Sequence, residues 1–202
     1  EVGFSSDRLR LVPLGVRTER ASADHIAQVR STFNLPSEFI LFVGTLEPRK
    51  NLAKLVEALS GQVDFPPLVV AGAQGWGDVS VAASDNVKFL GHVEERFLSG
   101  LYAAASVMVY PSLWEGFGLP VLEAMAQGTP VVTSELISTQ EVAGGAAVLV
   151  DPRSAESIQH GIRTALADRA SLSQRGLDRA AHATWSKTAQ LTAAAYDEVI
   201  AQ

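Results

Sequence analysis

The chain of 202 residues reads as an α/β protein, a doubly wound parallel sheet followed by a group of C-terminal helices. Two observations predict this. Short apolar runs of strand length recur along the chain, rich in β-branched residues and without polar alternation. Strands covered on both faces look like this, because neither side points to water. Stretches with helical spacing separate the runs, and strands that alternate with helices assemble into parallel units with right-handed crossovers.

Taken in order, residues 1–37 read as a short strand over 9–13, a loop, and a helix over 23–33. The run 39–43 (Phe-Ile-Leu-Phe-Val) stops at Gly44 and is the first core strand. Leu52, Leu55, Val56 and Leu59 place a helix over 51–59. A second core strand over 68–71 stops at Gly72, and a third covers 87–90. Phe97, Leu98 and Leu101 mark a helix over 94–104, before the strand 107–110. The helix over 120–127 opens on Pro120 and stops before Gly128, the usual places for those residues. Strands over 130–133 and 146–150 complete the sheet. Beyond Asp151-Pro152 the alanine-rich stretch 154–202 reads as two or three helices, the last carrying Trp185, Leu191, Tyr196 and Val199.

Composition narrows the function. Apolar residues at 47% and charged residues at 19% fit a folded domain. The charge of 16 minus 22, or −6, makes nucleic acid an unexpected partner. A polyanionic ligand must then be met by a local group of cations, helix ends or backbone amides. Cysteine is absent, which excludes disulfides and thiolate metal sites and is compatible with a reducing compartment. No apolar run approaches the roughly 20 residues of a membrane span. No basic-then-apolar leader is visible, so no secretory signal is expected. The opening at Glu1, in mid-pattern, suggests a piece of a longer protein.

Ligands of open parallel sheets gather at the carboxyl ends of the strands, and two loops there carry unusual chemistry. In the first, Gly44-Thr45-Leu46-Glu47-Pro48-Arg49-Lys50-Asn51, a glycine permits close backbone approach. Two cations, Arg49 and Lys50, then precede a helix, a combination suited to phosphate. A solvated basic turn is the plain alternative. In the second, Pro111-Ser112-Leu113-Trp114-Glu115-Gly116-Phe117-Gly118-Leu119-Pro120, two glycines free the backbone and a helix N-terminus follows. An ordinary tight turn would look the same. The helix after it, Val121-Leu122-Glu123-Ala124-Met125-Ala126, is apolar except for Glu123. A carboxylate there needs a partner or water, and the paired hydroxyls of a ribose would serve; an exposed helical glutamate is the alternative. His92, after a strand in Gly91-His92-Val93, is a further candidate for the cleft.

Other chemistries lack their signatures. There is no G-x-G-x-x-G after the first strand, no G-x-x-x-x-G-K-[ST], no G-x-S-x-G and no Asp-x-Asp. The histidines His25, His92, His160 and His182 are scattered, and no metal site is expected.

The stretch from Glu115 to Glu123 resembles the E-x7-E signature of retaining GT-B glycosyltransferases of family 4. Tyr110-Pro111-Ser112-Leu113-Trp114 before it, Ala124 to Val132 after it, Val43 to Asn51, Glu141-Val142-Ala143 and Leu149-Val150-Asp151-Pro152 are similar to that family too. The likeness runs from Val12-Pro13-Leu14-Gly15-Val16 to Trp185 and Tyr196, nearly the whole chain. It implies a Rossmann-like half of a GT-B fold, with 1–202 as the nucleotide-sugar-binding C-terminal domain and the N-terminal acceptor domain absent.

The resemblance also implies roles. Glu115 is the catalytic residue beside the transferred sugar, although not safely a nucleophile. Glu123 takes the ribose hydroxyls. Arg49 and Lys50 neutralise the diphosphate, with Gly44 and Thr45 beside them. Backbone amides of Gly116, Phe117, Gly118 and Leu119 hold sugar and phosphate oxygens, and His92 lies near the base. Thr45 stands where many relatives have arginine, so Arg49 is expected to replace that contact. The Leu46-Glu47-Pro48-Arg49-Lys50-Asn51 variant is similar to a mannosyltransferase-rich subgroup and favours GDP-mannose. A UDP-sugar-dependent transferase and a non-catalytic nucleotide-sugar-binding module are the alternatives. The expected partners are a nucleotide-sugar co-substrate, with no other cofactor, and a glycan or lipid-linked acceptor. The implied location is cytoplasmic, at the inner face of the cell membrane. The chain alone is expected to bind nucleotide and transfer little sugar.

Overall fold

The apolar runs become strands because both of their faces are covered. The computed structural model describes residue 5 and residues 8–77 and 86–200. Its strands are β1 (Ile40–Val43), β2 (Leu68–Ala71), β3 (Val87–Gly91), β4 (Val107–Tyr110), β5 (Val131–Ser134) and β6 (Val148–Val150). All pair in parallel, in the order β3-β2-β1-β4-β5-β6. Every residue of β1, β2, β4 and β5 is buried, whereas β3 and β6, at the two edges, are partly open. The chain winds outward through β2 and β3, then returns to lay β4 on the other side of β1. The winding direction reverses between β1 and β4, and the crevice above their carboxyl ends is where such sheets bind ligands.

Successive strand residues point to opposite faces. Leu41, Val43, Met108, Tyr110 and Val131 enter one core, under α1 (Ala23–Thr32), α3 (Glu95–Ala104), α4 (Leu119–Ala126) and α5 (Ile137–Ala143). Ile40, Phe42, Val109 and Val132 enter the other, under α2 (Leu52–Leu59) and α6 (Ala155–Ala167). The chain ends in α7 (Arg169–Ala181), packed on α4, and α8 (Trp185–Ile200).

One contact sets the fit of α6 on the sheet. A Cβ placed at Gly161 would stand 2.4 Å from Val150 Cγ1 and 3.1 Å from Val132 Cγ1. Both neighbours are stiff β-branched strand residues. Gly161→Ala gains about 1 kcal/mol of helix propensity, but overpacking costs about 1–3 kcal/mol. A thermal melt should show a lower Tm, and a higher Tm would mean that α6 lies farther from the sheet.

The expected strand over 9–13 is not formed. Leu9 and Leu11 are 58% and 78% exposed, and no sheet edge lies alongside to complete a ladder. This segment runs beside α8 instead, through Thr188 Oγ1 donating to Pro13 O and an Arg10–Glu198 ion pair. A strand-like bridge forms only just beyond it, between Val16 and Thr184. The short helix α5 was not expected. The apolar spacing of α8 is real, yet none of its residues is buried, and Trp185, Tyr196, Val199 and Ile200 stay open. Among the described residues no helix is long and apolar enough to cross a membrane.

Candidate functional site

The loops after β1 and β4 meet at the reversal point. At Gly44, φ is +152°, and the Lys50 stem passes 3.5 Å from where a Cβ would stand. Pro48 then opens a 3₁₀ turn, Pro48–Lys50, closed by Asn51 in the left-handed conformation at φ 62°. Asn51 Nδ2 donates to Pro111 O at 3.0 Å and to Pro152 O at 2.6 Å, and Leu113 N donates to Arg49 O at 2.8 Å. These bonds tie the β1 loop to the β4 loop and turn both cations toward Glu115.

Both oxygens of Glu115 are engaged. Oε1 accepts from Lys50 Nζ at 2.8 Å and from Tyr110 Oη at 2.8 Å, while Oε2 accepts from Arg49 Nη1 at 2.9 Å. Lys50 Nζ also donates to Tyr110 Oη. The Lys50 and Glu115 side chains are 9% and 7% exposed, and Arg49 is 29% exposed. Arg49 Nε donates to Glu47 Oε2 at 2.7 Å, and its guanidinium lies 5.7 Å from the Trp114 ring centroid. Burial alone would raise the Glu115 pKa, but the bonds from Lys50 and Tyr110, with the Ser112 hydroxyl nearby, outweigh it and hold the group below its usual range. Burial opposes the charge on Arg49, yet Glu115 and Glu47 outweigh that and keep it cationic. Burial and the Glu115 charge push the Tyr110 hydroxyl well above its ordinary value, so it remains a neutral donor. A buried carboxylate with so many donors is a structural counter-ion rather than a free base.

Glu123 lies apart from this cluster. Gly118, with φ +102°, starts α4 one residue earlier than expected, so Glu123 falls in the second turn. Its Oε2 accepts from Tyr102 Oη, on α3, at 2.8 Å. Among the described residues Oε1 has no hydrogen-bond partner, and Glu123 lines a cleft of about 490 Å³ with Arg17, Glu95, Arg96, Tyr102 and Trp185. Burial raises the Glu123 pKa, Tyr102 opposes the rise, and Glu95 adds to it. A ligand that needs the carboxylate ionised will therefore bind more weakly on the acid side. Affinity for such a ligand should climb with pH through the region above the ordinary glutamate value of 4.5. Calorimetric titrations at several pH values check this, and Glu123→Gln should flatten the profile.

Of the residues expected to form one site, Arg49, Lys50 and Glu115 come together, with Gly44 under the lysine stem. Glu123 and Leu119 line the cleft, and Gly116, Phe117 and Gly118 lie between the two groups in sequence. The Phe117 ring packs partly buried into the core beside a second groove with Leu122 and Val142, so only its backbone is available to the first site. Thr45 is exposed. His92, exposed after the edge strand β3, joins neither cluster. Tyr110, Tyr102, Glu47 and Trp114 were not anticipated. A tyrosine ending an all-buried strand needs a hydroxyl partner, and Tyr110 is that signal for Glu115. Among the described residues no group of three or more His, Asp or Glu could hold a metal ion.

The family model described as glycosyl transferases group 1 matches residues 26–182. O-antigen chain mannosyltransferase B of Escherichia coli is 38% identical over 173 residues, covering 78% of this chain and 45% of that protein. Sucrose-phosphate synthase of Thermosynechococcus elongatus superposes with a TM-score of 0.82 at 29% identity, over 95% of this chain and 53% of that one. Anabaena HepE in complex with UDP shares the fold, with a TM-score of 0.78 at 20% identity over 93% of this chain and 56% of that one. The chain thus spans about half the length of these relatives.

Proposed function

This chain belongs to the group 1 glycosyl transferases, and on that premise we propose that it is the donor-binding half of a retaining hexosyltransferase that uses GDP-mannose. The observation that carries the reading is the meeting of Arg49 and Lys50 with Glu115 at the reversal point, on the loop that leads into the helix bearing Glu123. A nucleoside diphosphate has the matching chemistry. Its diphosphate suits the two cations and the N-terminus of α4. Its ribose hydroxyls suit the unpartnered oxygen of Glu123.

Breaking a glycosyl–phosphate bond builds negative charge on the departing diphosphate and positive charge on the sugar. Preorganised cations and helix amides stabilise the first. Glu115, buried between the loops, is close enough in sequence and space to the glycine turn to bear on the second. With both oxygens taken by donors it is poorly placed as a nucleophile, which favours reaction on one face of the sugar over a double displacement. The named mannosyltransferase relative supports mannose as the sugar. The UDP held by Anabaena HepE makes uracil the competing base. The acceptor, a glycan or lipid-linked saccharide, would be held by an upstream domain at the inner face of the membrane, and this half alone would transfer little.

The test is a calorimetric titration of the chain with GDP, UDP, ADP and their sugars. GDP preference with tighter GDP-mannose binding is expected. UDP selectivity removes the guanine assignment, and no binding of any of them removes the reading itself.

A further inference from the structure

Tyr102 carries a hydroxyl that its apolar surroundings do not call for. Its ring lies in the core with Leu101, Leu122 and Met125, and only 2% of the residue is exposed. A phenylalanine would fill the same space. The hydroxyl is the addition, and once buried it needs an acceptor. That acceptor is Glu123 Oε2, at 2.8 Å. Burial, with the Glu123 charge, pushes the phenol well above its ordinary value, so it stays a neutral donor. A second bond fastens the same residue, Thr129 Oγ1 donating to Tyr102 O at 2.7 Å. Backbone and hydroxyl of Tyr102 are thus both tied to α4 and the turn that follows it.

Satisfying the tyrosine does not explain the carboxylate. A neutral acceptor would serve the hydroxyl as well, and a half-buried charge on an apolar helix is costly. No cation offsets it. Of the arginines that line the cleft, Arg17 pairs with Glu95 at 3.2 Å and Arg96 with Glu94 at 3.1 Å. Glu95 on α3 and Glu19 from the segment before α1 bring further negative charge to the same cleft. Among the described residues, Tyr102 is the one hydrogen-bond or ion-pair partner that Glu123 has. The charge therefore serves the cleft, and the tyrosine serves the charge.

We infer that Tyr102 is a positioning residue for the donor, whose hydroxyl sets the orientation in which Glu123 meets the ribose. Its hydroxyl proton is committed to Glu123, so it acts through that carboxylate and not on the nucleotide. A hydrogen bond to an ionised carboxylate also favours the ionised form. Tyr102 thereby opposes what burial and Glu95 do to Glu123. The inference rests on the reading of Glu123 as the ribose contact.

Tyr102→Phe tests it, with GDP and its 2′,3′-dideoxy analogue as probes, titrated at several pH values. GDP affinity should fall about tenfold. Affinity for the dideoxy nucleotide should hold, because that ligand has no hydroxyls to place on Glu123. The rise of GDP affinity with pH should also move to higher pH, since the ionised carboxylate has lost its donor. Unchanged GDP affinity with an unmoved pH profile would mean that the hydroxyl only satisfies itself, and overturns the inference. So does equal weakening of both nucleotides, which a loosened contact between α3 and α4 would produce. In both cases a parent protein that still prefers GDP to the dideoxy nucleotide leaves the ribose reading standing. Equal affinity of the parent protein for the two nucleotides overturns that reading and the inference with it.

Discussion

Lys50→Ala should lower the Tm by roughly 6–12 °C and remove the diphosphate contribution to nucleotide binding. Lys50 Nζ is one of the donors that keep Glu115 charged inside the protein. Removing one partner of a buried pair leaves the other uncompensated, at a cost of about 3–5 kcal/mol. Arg49 remains on Glu115 Oε2, so the lower end, about 3 kcal/mol, applies. For a domain of this size each kcal/mol moves the Tm by about 2–4 °C. The variant also empties the space above Gly44 that the lysine stem fills. Lys50→Met keeps most of that stem, and pairing it with Glu115→Gln removes the stranded charge. The double variant should recover most of the Tm and none of the GDP affinity, which separates the fold's use of the charge from the ligand's. Recovery of both would show that Lys50 does not touch phosphate.

Glu123→Gln should cost about 10- to 150-fold in nucleotide affinity with little change in Tm, from the roughly 1.5–3 kcal/mol of a hydrogen bond to a charged group. Glutamine is the informative choice because its carbonyl can still accept from Tyr102 Oη, whereas alanine would strand that hydroxyl in the core. The carboxylate is the variable that changes. A nucleotide lacking both ribose hydroxyls should bind the parent protein more weakly and bind Glu123→Gln no worse than the complete nucleotide does. Equal discrimination between the two nucleotides by both proteins would place the ribose elsewhere.

These variants differ in their effect on stability because the two glutamates sit differently, and that difference was only partly legible in the sequence. The core strands could be read directly, since Ile40, Leu41, Phe42 and Val43 and the matching runs are buried on both faces. The segment 9–13 misled because an apolar run without a neighbour to complete its hydrogen bonds forms no strand. The seven residues of α5 gave too short a period to separate helix from loop, and Ile137 at its start is 87% exposed. Among the site residues, Glu123 was legible as a lone carboxylate on an apolar helix, but its partner Tyr102 lies 21 residues away on α3. Arg49 and Lys50 were legible as a cation pair. That Glu115, 65 residues after Lys50, would neutralise them depends on β4 being laid beside β1, a tertiary fact that local pattern does not carry.

One ligand is expected to span the Glu115 cluster and the Glu123 cleft, two groups joined by no hydrogen bond or ion pair among the described residues. A crystal structure of the chain with GDP tests it most directly. Diphosphate oxygens are expected about 3 Å from Arg49 and Lys50, with the ribose hydroxyls on Glu123. A diphosphate lodged against Arg17 and Arg96 in the cleft, out of reach of Arg49 and Lys50, would contradict it.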